Sequence, residues 1–271
     1  MTVSRKKSPL SIAGAYTILY LLFLYLPVLF LPLFSFNDAI YVAFPIENFT
    51  FKWYEEMVES EPLLTALQNS IKIGVVVAIV TTIFGTLAAK AFTRYRIPFD
   101  KTLKGFIAIP LVIPLIILGI SLLIVFSQAD VSLSLVTIGI GHVVICVPIS
   151  MLVMMSRLEG FDKGLEEAAQ DLGETPWMTF WRVTFPLALP GIVASLLLCF
   201  TISFDEFILA FFLTGDEATL PIYIWTQLRF PTRLPSVLAL GTCILLISIL
   251  VVVLAEWVRR IGLQPSDSGK P

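Results

Sequence analysis

Apolar and polar positions in this chain are not interleaved; they are sorted into blocks. Six stretches, 10–36, 70–91, 105–127, 133–155, 187–213 and 236–258, are almost continuously apolar. Crossing about 30 Å of hydrocarbon as a helix takes about 20 such residues, so each block predicts one membrane span. The first follows Arg5, Lys6 and Lys7 and superficially matches a secretory leader. Its apolar run exceeds the 7–15 residues of a leader core and no small-x-small site follows it, so it reads as an uncleaved span.

One interruption stands out. Between the fourth and fifth blocks, residues 162–191 read DKGLEEAAQDLGETPWMTFWRVTFPLALPG. Leu158, Phe161, Leu165, Ala168 or Ala169, and Leu172 recur at three- and four-residue steps, which predicts a helix with one apolar stripe. Glu166, Glu167, Gln170 and Asp171 fall on its other faces. Asp162 is placed as its N-cap and Gly173 where a glycine would end it. Thr175-Pro176 then predicts a restart, as cap and first helical residue, and Trp177, Phe180 and Trp181 supply a bulky apolar face. Two readings compete: a hairpin lying among lipid headgroups, or a helix docked in a protein groove. The acid-rich first helix favours the groove, because helices resting on anionic lipid carry Lys and Arg on their polar face.

Composition agrees with the blocks. Of 271 residues, 57% are hydrophobic and 14% charged, and the mean hydropathy is +0.91. A water-soluble domain carries about 25% charged residues, so much of this surface meets lipid. A net charge of −2 without a basic stripe excludes a nucleic-acid partner. Cys146, Cys199 and Cys243 lie far apart in apolar runs and read as small hydrophobes, with neither metal-ligand nor disulfide spacing. With the N-terminus in the cytoplasm, the same side collects 14 of the 18 Lys and Arg, leaving Lys52, Lys72, Arg229 and Arg233 opposite or at a span entrance. That bias predicts a cytoplasmic location for both termini and the insert. The first outer loop is acidic, with Asp38, Glu47, Glu55, Glu56, Glu59 and Glu61. Pro27, Pro32, Pro110, Pro114, Gly119 and Pro148 interrupt spans, and each proline frees a carbonyl that neighbouring helices or water must satisfy.

The insert also carries a motif. Glu167, Ala168, Ala169 and Gly173, nine residues, then Val183, Phe185 and Pro186 resemble the EAA loop of binding-protein-dependent ABC importer permeases. Val183 and Phe185 stand where that family has isoleucine and leucine. From residue 66 to the end of the sixth block the chain is similar to the polyamine (spermidine/putrescine) permease group, particularly its C-type subunit. FTISFDEFILAFFLTG (200–215), LPIYIWTQLRF (220–230) and FKWYEEM (51–57) carry that likeness. The resemblance implies an all-α, polytopic fold of six transmembrane helices, the type I (MetI-like) permease fold, in a bacterial inner membrane. It divides the chain into a tail (1–9), a permease domain (10–258, core 66–258, coupling loop 157–186) and a second tail (259–271). It implies that Glu167, Ala168, Ala169, Gly173 and Pro186 belong to a loop gripped by an ATPase. It implies as partners two ATPase copies, a second permease and an extracytoplasmic binding protein. ATP and magnesium would reside in the ATPase, with no cofactor and no catalysis in this chain. Independently, the sequence has no Gly-x-x-x-x-Gly-Lys-Ser/Thr phosphate loop.

Asp205 and Glu206 lie inside the fifth block, where an acid costs about 2.5–3.5 kcal/mol at a span centre and faces protein or water. Adjacent helical residues diverge by about 100°, so the two have different roles. Glu206 shares a stripe with Cys199, Ser203 and Ala210, and Asp205 is one turn beyond Thr201, whose hydroxyl it is placed to accept. Either the acids draw a cation along a pathway, with Phe204, Phe207, Phe211 and Phe212 offering ring faces, or they pair with basic residues of a partner permease or hold helix ends together. His142, the single histidine, predicts an interhelical hydrogen bond. Another substrate of related permeases (another organic cation, iron, an aminophosphonate or thiamine) remains open. A stand-alone ion-coupled transporter fits less well, since no internal repeat is visible. An intramembrane enzyme lacks clustered ligands or a nucleophile with its base.

Overall fold

Helices dominate the computed structural model, which describes residues 12–46 and 48–261. Residues 1–11, Glu47 and residues 262–271 lie outside the described residues, as do the side chains of Arg259 and Arg260. Among the described residues twelve α-helices follow in order: α1 (Ile12–Ser35), α2 (Lys52–Glu59), α3 (Glu61–Arg94), α4 (Asp100–Ala108), α5 (Leu115–Gln128) and α6 (Leu135–Glu159). After them come α7 (Gly164–Asp171), α8 (Pro176–Thr179), α9 (Phe185–Asp205), α10 (Ile208–Leu213), α11 (Leu220–Gln227) and α12 (Leu234–Ile261). No strand occurs among the described residues beyond a single bridge, Asn37 with Phe49.

Five helical segments are long and apolar enough to cross a membrane: Gly14–Ser35, Glu61–Arg94, Leu135–Glu159, Pro176–Asp205 and Pro231–Leu250. The third sequence block, expected as one span, is instead a bent pair, Asp100–Leu111 and Leu115–Gln128, meeting at 95°. Pro110 and Pro114, four apart, both lack an N–H, and Pro114 also disfavours the α conformation at Ile113. Pro27, Pro32 and Pro148 sit inside helices that run unbroken. The fifth block differs too: its helix stops at Asp205, Glu206 is extended, and α10 starts at Ile208.

The chain divides into two units. In the first, Met1–Ser60 with Thr226–Pro271, α12 packs on α1 and α2. Its polar anchor is Trp53, whose Nε1 donates to the Asn37 carbonyl at 2.7 Å. Tyr54 and Ser35 share a hydroxyl hydrogen bond of 2.7 Å beside the clustered rings of Phe36, Phe51 and Tyr54.

The second unit, Glu61–Trp225, is built on α3, which packs on both α6 and α9. Its buried positions come in strict fours: Asn69-Ser70, Ile73-Gly74, Val77-Ala78, Thr81-Thr82 and Gly85-Thr86. Four residues turn a helix about 40° past a full turn, so the buried stripe winds round α3 and reaches two partners. The stripe is small and polar because lipid offers no hydrophobic drive between helices; close approach and hydrogen bonds must supply it. A Cβ at Gly85 would overlap the Ser150 side chain. Across α6 and α9 three pairs stand in antiparallel register: His142 with Ser203 at 2.8 Å, the Cys146 and Cys199 thiols on each other's carbonyls at 4.0 and 3.7 Å, and Ser150 with Ser195 at 2.7 Å. Thr82 joins Ser195 at 3.0 Å from α3. Residues 214–219 are tied down by Asn69 donating to the Ala218 carbonyl and by Leu220 N–H donating to Ser70.

Outward, the helices present large apolar side chains such as Phe23, Val76, Phe84, Val125, Val136, Leu197 and Ile247. Such an exterior is stable in hydrocarbon or against another subunit, where helices keep every backbone bond internal.

Candidate functional site

The insert forms a tight helical elbow. Asp162 Oδ1 accepts the Gly164 N–H at 2.9 Å, one residue before the helical cap at Lys163, so the expected capping acid acts from just outside. Gly173 ends α7 at φ +93. Its N–H donates to Gln170 O at 2.9 Å, and Glu174 N–H donates to Ala169 O at 3.1 Å. This paired pattern needs a left-handed residue, which glycine supplies without Cβ strain. Thr175 then caps the next helix, its Oγ1 accepting Met178 N–H at 3.3 Å, with Pro176 first inside. Arg182 and Glu174 pair across the elbow.

From Pro176 the helical path continues to Asp205 through a π turn, Phe180–Thr184, closed by Phe185 N–H on Phe180 O. Pro186 follows directly: its ring clashes with the Arg182 carbonyl four residues back, and widening that turn relieves the clash. Pro186 therefore sits on α9, beyond the turn, while Glu167, Ala168, Ala169 and Gly173 belong to α7 and its cap.

The apolar stripe read from the sequence splits. Leu158 is buried at the end of α6, whereas Leu165 is exposed and Leu172 is 87% exposed. Glu167 and Ala168 are exposed as well, so α7 is open on most of its surface, and the Glu167 carboxylate has no partner among the described residues. Glu166 turns inward instead. Its Oε1 accepts Arg94 Nε at 2.9 Å and Thr184 Oγ1 at 3.0 Å, joining α7 to the end of α3 and to the π turn. Sequence reasoning assigned neither Glu166 nor Arg94 a role. Of two adjacent acids, the side chain that meets a residue 72 positions away is invisible in one chain. Beside them Lys90 Nζ lies 4.6 Å from the Phe180 ring centroid. Trp177 and Trp181 are exposed and stacked edge to face at 5.7 Å, with Trp181 on Phe185 at 4.9 Å.

At the other end of α9 the two acids separate as expected. Glu206 is 8% exposed on a side shared with buried Cys199, Ser203 and Ala210. Its Oε2 accepts Leu209 N–H at 3.2 Å, so it caps α10 where the span breaks. Asp205 is exposed, on an outward stripe with Leu197 and Thr201. The expected Thr201 to Asp205 bond is absent: Thr201 Oγ1 donates to the Leu197 carbonyl at 2.8 Å, the nearest acceptor in its own helix. The phenylalanines pair with one another, Phe200 with Phe204 at 5.7 Å and Phe207 with Phe211 and Trp225 at 5.6 and 5.4 Å. His142 makes the interhelical bond expected of it, and its Nε2 has no partner among the described residues.

Comparison with known proteins places this architecture. Residues 78–260 match the family model described as binding-protein-dependent transport system inner membrane component. The chain is 32% identical over 239 residues to the spermidine/putrescine transport system permease protein PotC of Escherichia coli (strain K12), covering 88% of this chain and 90% of that one. It is 34% identical over 231 residues to the putrescine transport system permease protein PotI of the same strain, 82% of each chain. A solved bacterial ABC transporter that imports the acidic polysaccharide alginate shares the fold, with a TM-score of 0.73, 18% identity, and coverage of 95% of this chain and 99% of that chain. A family match over two thirds of the chain, on a multi-pass helical frame, leaves one conclusion: the chain belongs to the binding-protein-dependent transport system inner membrane components and is a permease subunit of an ABC importer.

Proposed function

We propose that this permease carries polyamines of the spermidine and putrescine class inward, as one of two permease subunits around a shared pathway. The observation that carries the reading is Asp205, an exposed carboxylate near the end of a crossing helix whose outward neighbours are otherwise uncharged. Lipid does not tolerate a bare charge there, so water or a partner's surface covers it. A carboxylate on a wet pathway attracts ammonium groups, and the relatives named for spermidine and putrescine support that substrate class.

Force comes from a separate ATPase, two copies of which bind ATP and magnesium. The open side of α7, with Leu165, Glu167, Ala168 and Leu172, is its docking surface, and Gly173 and Pro186 shape the elbow that carries it. An extracytoplasmic binding protein delivers the substrate; a solved alginate transporter was crystallised in complex with its periplasmic protein, which supports that arrangement. The excess of Lys and Arg on the insert's side supports a cytoplasmic location for α7 and both termini. Neither this chain's segments 1–9 and 259–271 nor its core takes part in catalysis.

The test is uptake of radiolabelled spermidine and putrescine into proteoliposomes that hold both permeases and the ATPase, with ATP inside and loaded binding protein outside. No uptake by the complete assembly rejects the polyamine assignment. Uptake by this chain alone rejects the ATPase partnership.

A further inference from the structure

The two adjacent acids of α7 diverge by about 100°, and only the exposed one, Glu167, belongs to the docking surface described above. The inward one, Glu166, has an unusual environment for a loop carboxylate. Its side chain is 14% exposed and that of Arg94 7%. A single oxygen, Oε1, receives both the Arg94 guanidinium and the Thr184 hydroxyl. Arg94 is the last residue of α3, the central helix of its unit, and Thr184 ends the π turn that feeds α9. No residue of α7 is buried. The eight-residue helix is therefore held by its two covalent ends and by this carboxylate, with no apolar core of its own.

We propose that Glu166 is a positioning residue that clamps α7 to α3 and α9, so that displacement of α7 moves both crossing helices as one body. The inference rests on α7 being the surface that an ATPase moves. Mechanically, a helix joined to its neighbours by turns alone would swing on those turns when pushed. A nearly buried ion pair resists that swing, because separating it leaves an uncompensated charge out of water, a much larger penalty than for a surface pair. Sharing one oxygen between two donors couples the two helices to the same point. Arg94 Nη2, buried without a partner among the described residues, leaves the guanidinium only this carboxylate to neutralise it.

The experiment uses the complete transporter in proteoliposomes, with spermidine as the probe. Glu166→Gln and Arg94→Met are expected to lower spermidine taken up per ATP hydrolysed at least about fivefold, the low end of the usual coupling range. The exchanged pair, Arg94→Glu with Glu166→Arg, is expected to recover at least half of the loss. A second readout does not depend on substrate. In a chain with its three cysteines replaced, spin labels at Leu87→Cys and Gln170→Cys, both exposed and outside the docking surface, report the distance between α3 and α7, with and without trapped ATP. The parent is expected to keep one narrow distance in both states, and Glu166→Gln to broaden it. Unchanged uptake per ATP together with an unchanged distance distribution overturns the clamp. So does loss of the ATPase from the purified complex with normal uptake per ATP in what remains, which would make Glu166 a support of the docking surface alone. If the parent takes up no spermidine, the polyamine assignment fails and the distances alone decide the clamp.

Discussion

Ser150 and Ser195 share a hydroxyl hydrogen bond of 2.7 Å between α6 and α9, in register with Cys146–Cys199 and His142–Ser203 one and two turns away. Thr82 of α3 reaches the same Ser195 hydroxyl. Three helices thus meet at one small side chain. Ser195→Ala removes bonds worth about 0.6 kcal/mol each in a membrane and is expected to change little. Ser195→Leu overfills the seam, at a cost of about 1–3 kcal/mol. Thermal aggregation of the detergent-purified complex checks both, with the leucine variant losing stability and the alanine variant close to the parent. Equal stability of the two would mean that volume at this seam is unimportant.

Gly173 and Glu167 separate shape from surface. Gly173→Ala forces a Cβ into a left-handed backbone at φ +93, costing about 1–2 kcal/mol. Gly173→Asn, better tolerated there, is expected to cost less. Glu167→Lys changes an exposed, unpartnered side chain and is expected to leave folding untouched while releasing the ATPase. Retention of the ATPase on the tagged permease during affinity purification reads all three. The expected order is parent, then Gly173→Asn, then Gly173→Ala, with Glu167→Lys weak and normally folded. Full retention with Glu167→Lys would remove the outward side of α7 as the docking surface.

The membrane blocks and the elbow were legible in the sequence, because continuous apolar runs, Gly173 and Thr175-Pro176 act locally. The break at Pro110 and Pro114 was signposted by residue type, but its 95° angle was not. The break after Asp205 carried no proline or glycine; it depends on Glu206 bonding Leu209 N–H in place of the helix ladder. Thr201 was misjudged because a hydroxyl in an apolar helix turns to its own backbone, as Thr81, Thr93, Thr242 and Ser248 also do. Glu166 was missed because long-range pairing chooses between two acids that local pattern treats alike.

Asp205 and Glu206 give opposite expectations for stability and transport. Glu206 is a structural cap, so Glu206→Ala is expected to destabilise by about 0.5–2 kcal/mol, as loss of a cap does, while Glu206→Gln keeps an acceptor and costs less. Asp205→Asn breaks no hydrogen bond or ion pair among the described residues and is expected to leave stability unchanged while reducing spermidine uptake about tenfold, the effect of about 1.4 kcal/mol. Measuring both uptake and thermal stability distinguishes the roles. Normal uptake in Asp205→Asn would exclude this acid from the pathway.

Sidedness is the remaining expectation that a single measurement decides. Leu172 is 87% exposed at the tip of the elbow, so Leu172→Cys disturbs no packing. In intact cells that make the permeases without their ATPase, which leaves the docking surface uncovered, a charged thiol reagent that cannot cross the membrane is expected to leave it unlabelled, and to label it once the cells are opened. Phe49→Cys, exposed on the opposite flank of the first span by the sequence reading, is expected to label in intact cells. Native Cys146 and Cys199 are buried and contribute little background, and replacing Cys243 removes the remainder. Labelling of Leu172→Cys from outside would put α7 beyond reach of any ATP-driven partner. The docking surface, the outward role of Glu167 and the clamp at Glu166 would then all lose their physical basis together, because each requires the elbow to face the compartment where ATP is hydrolysed.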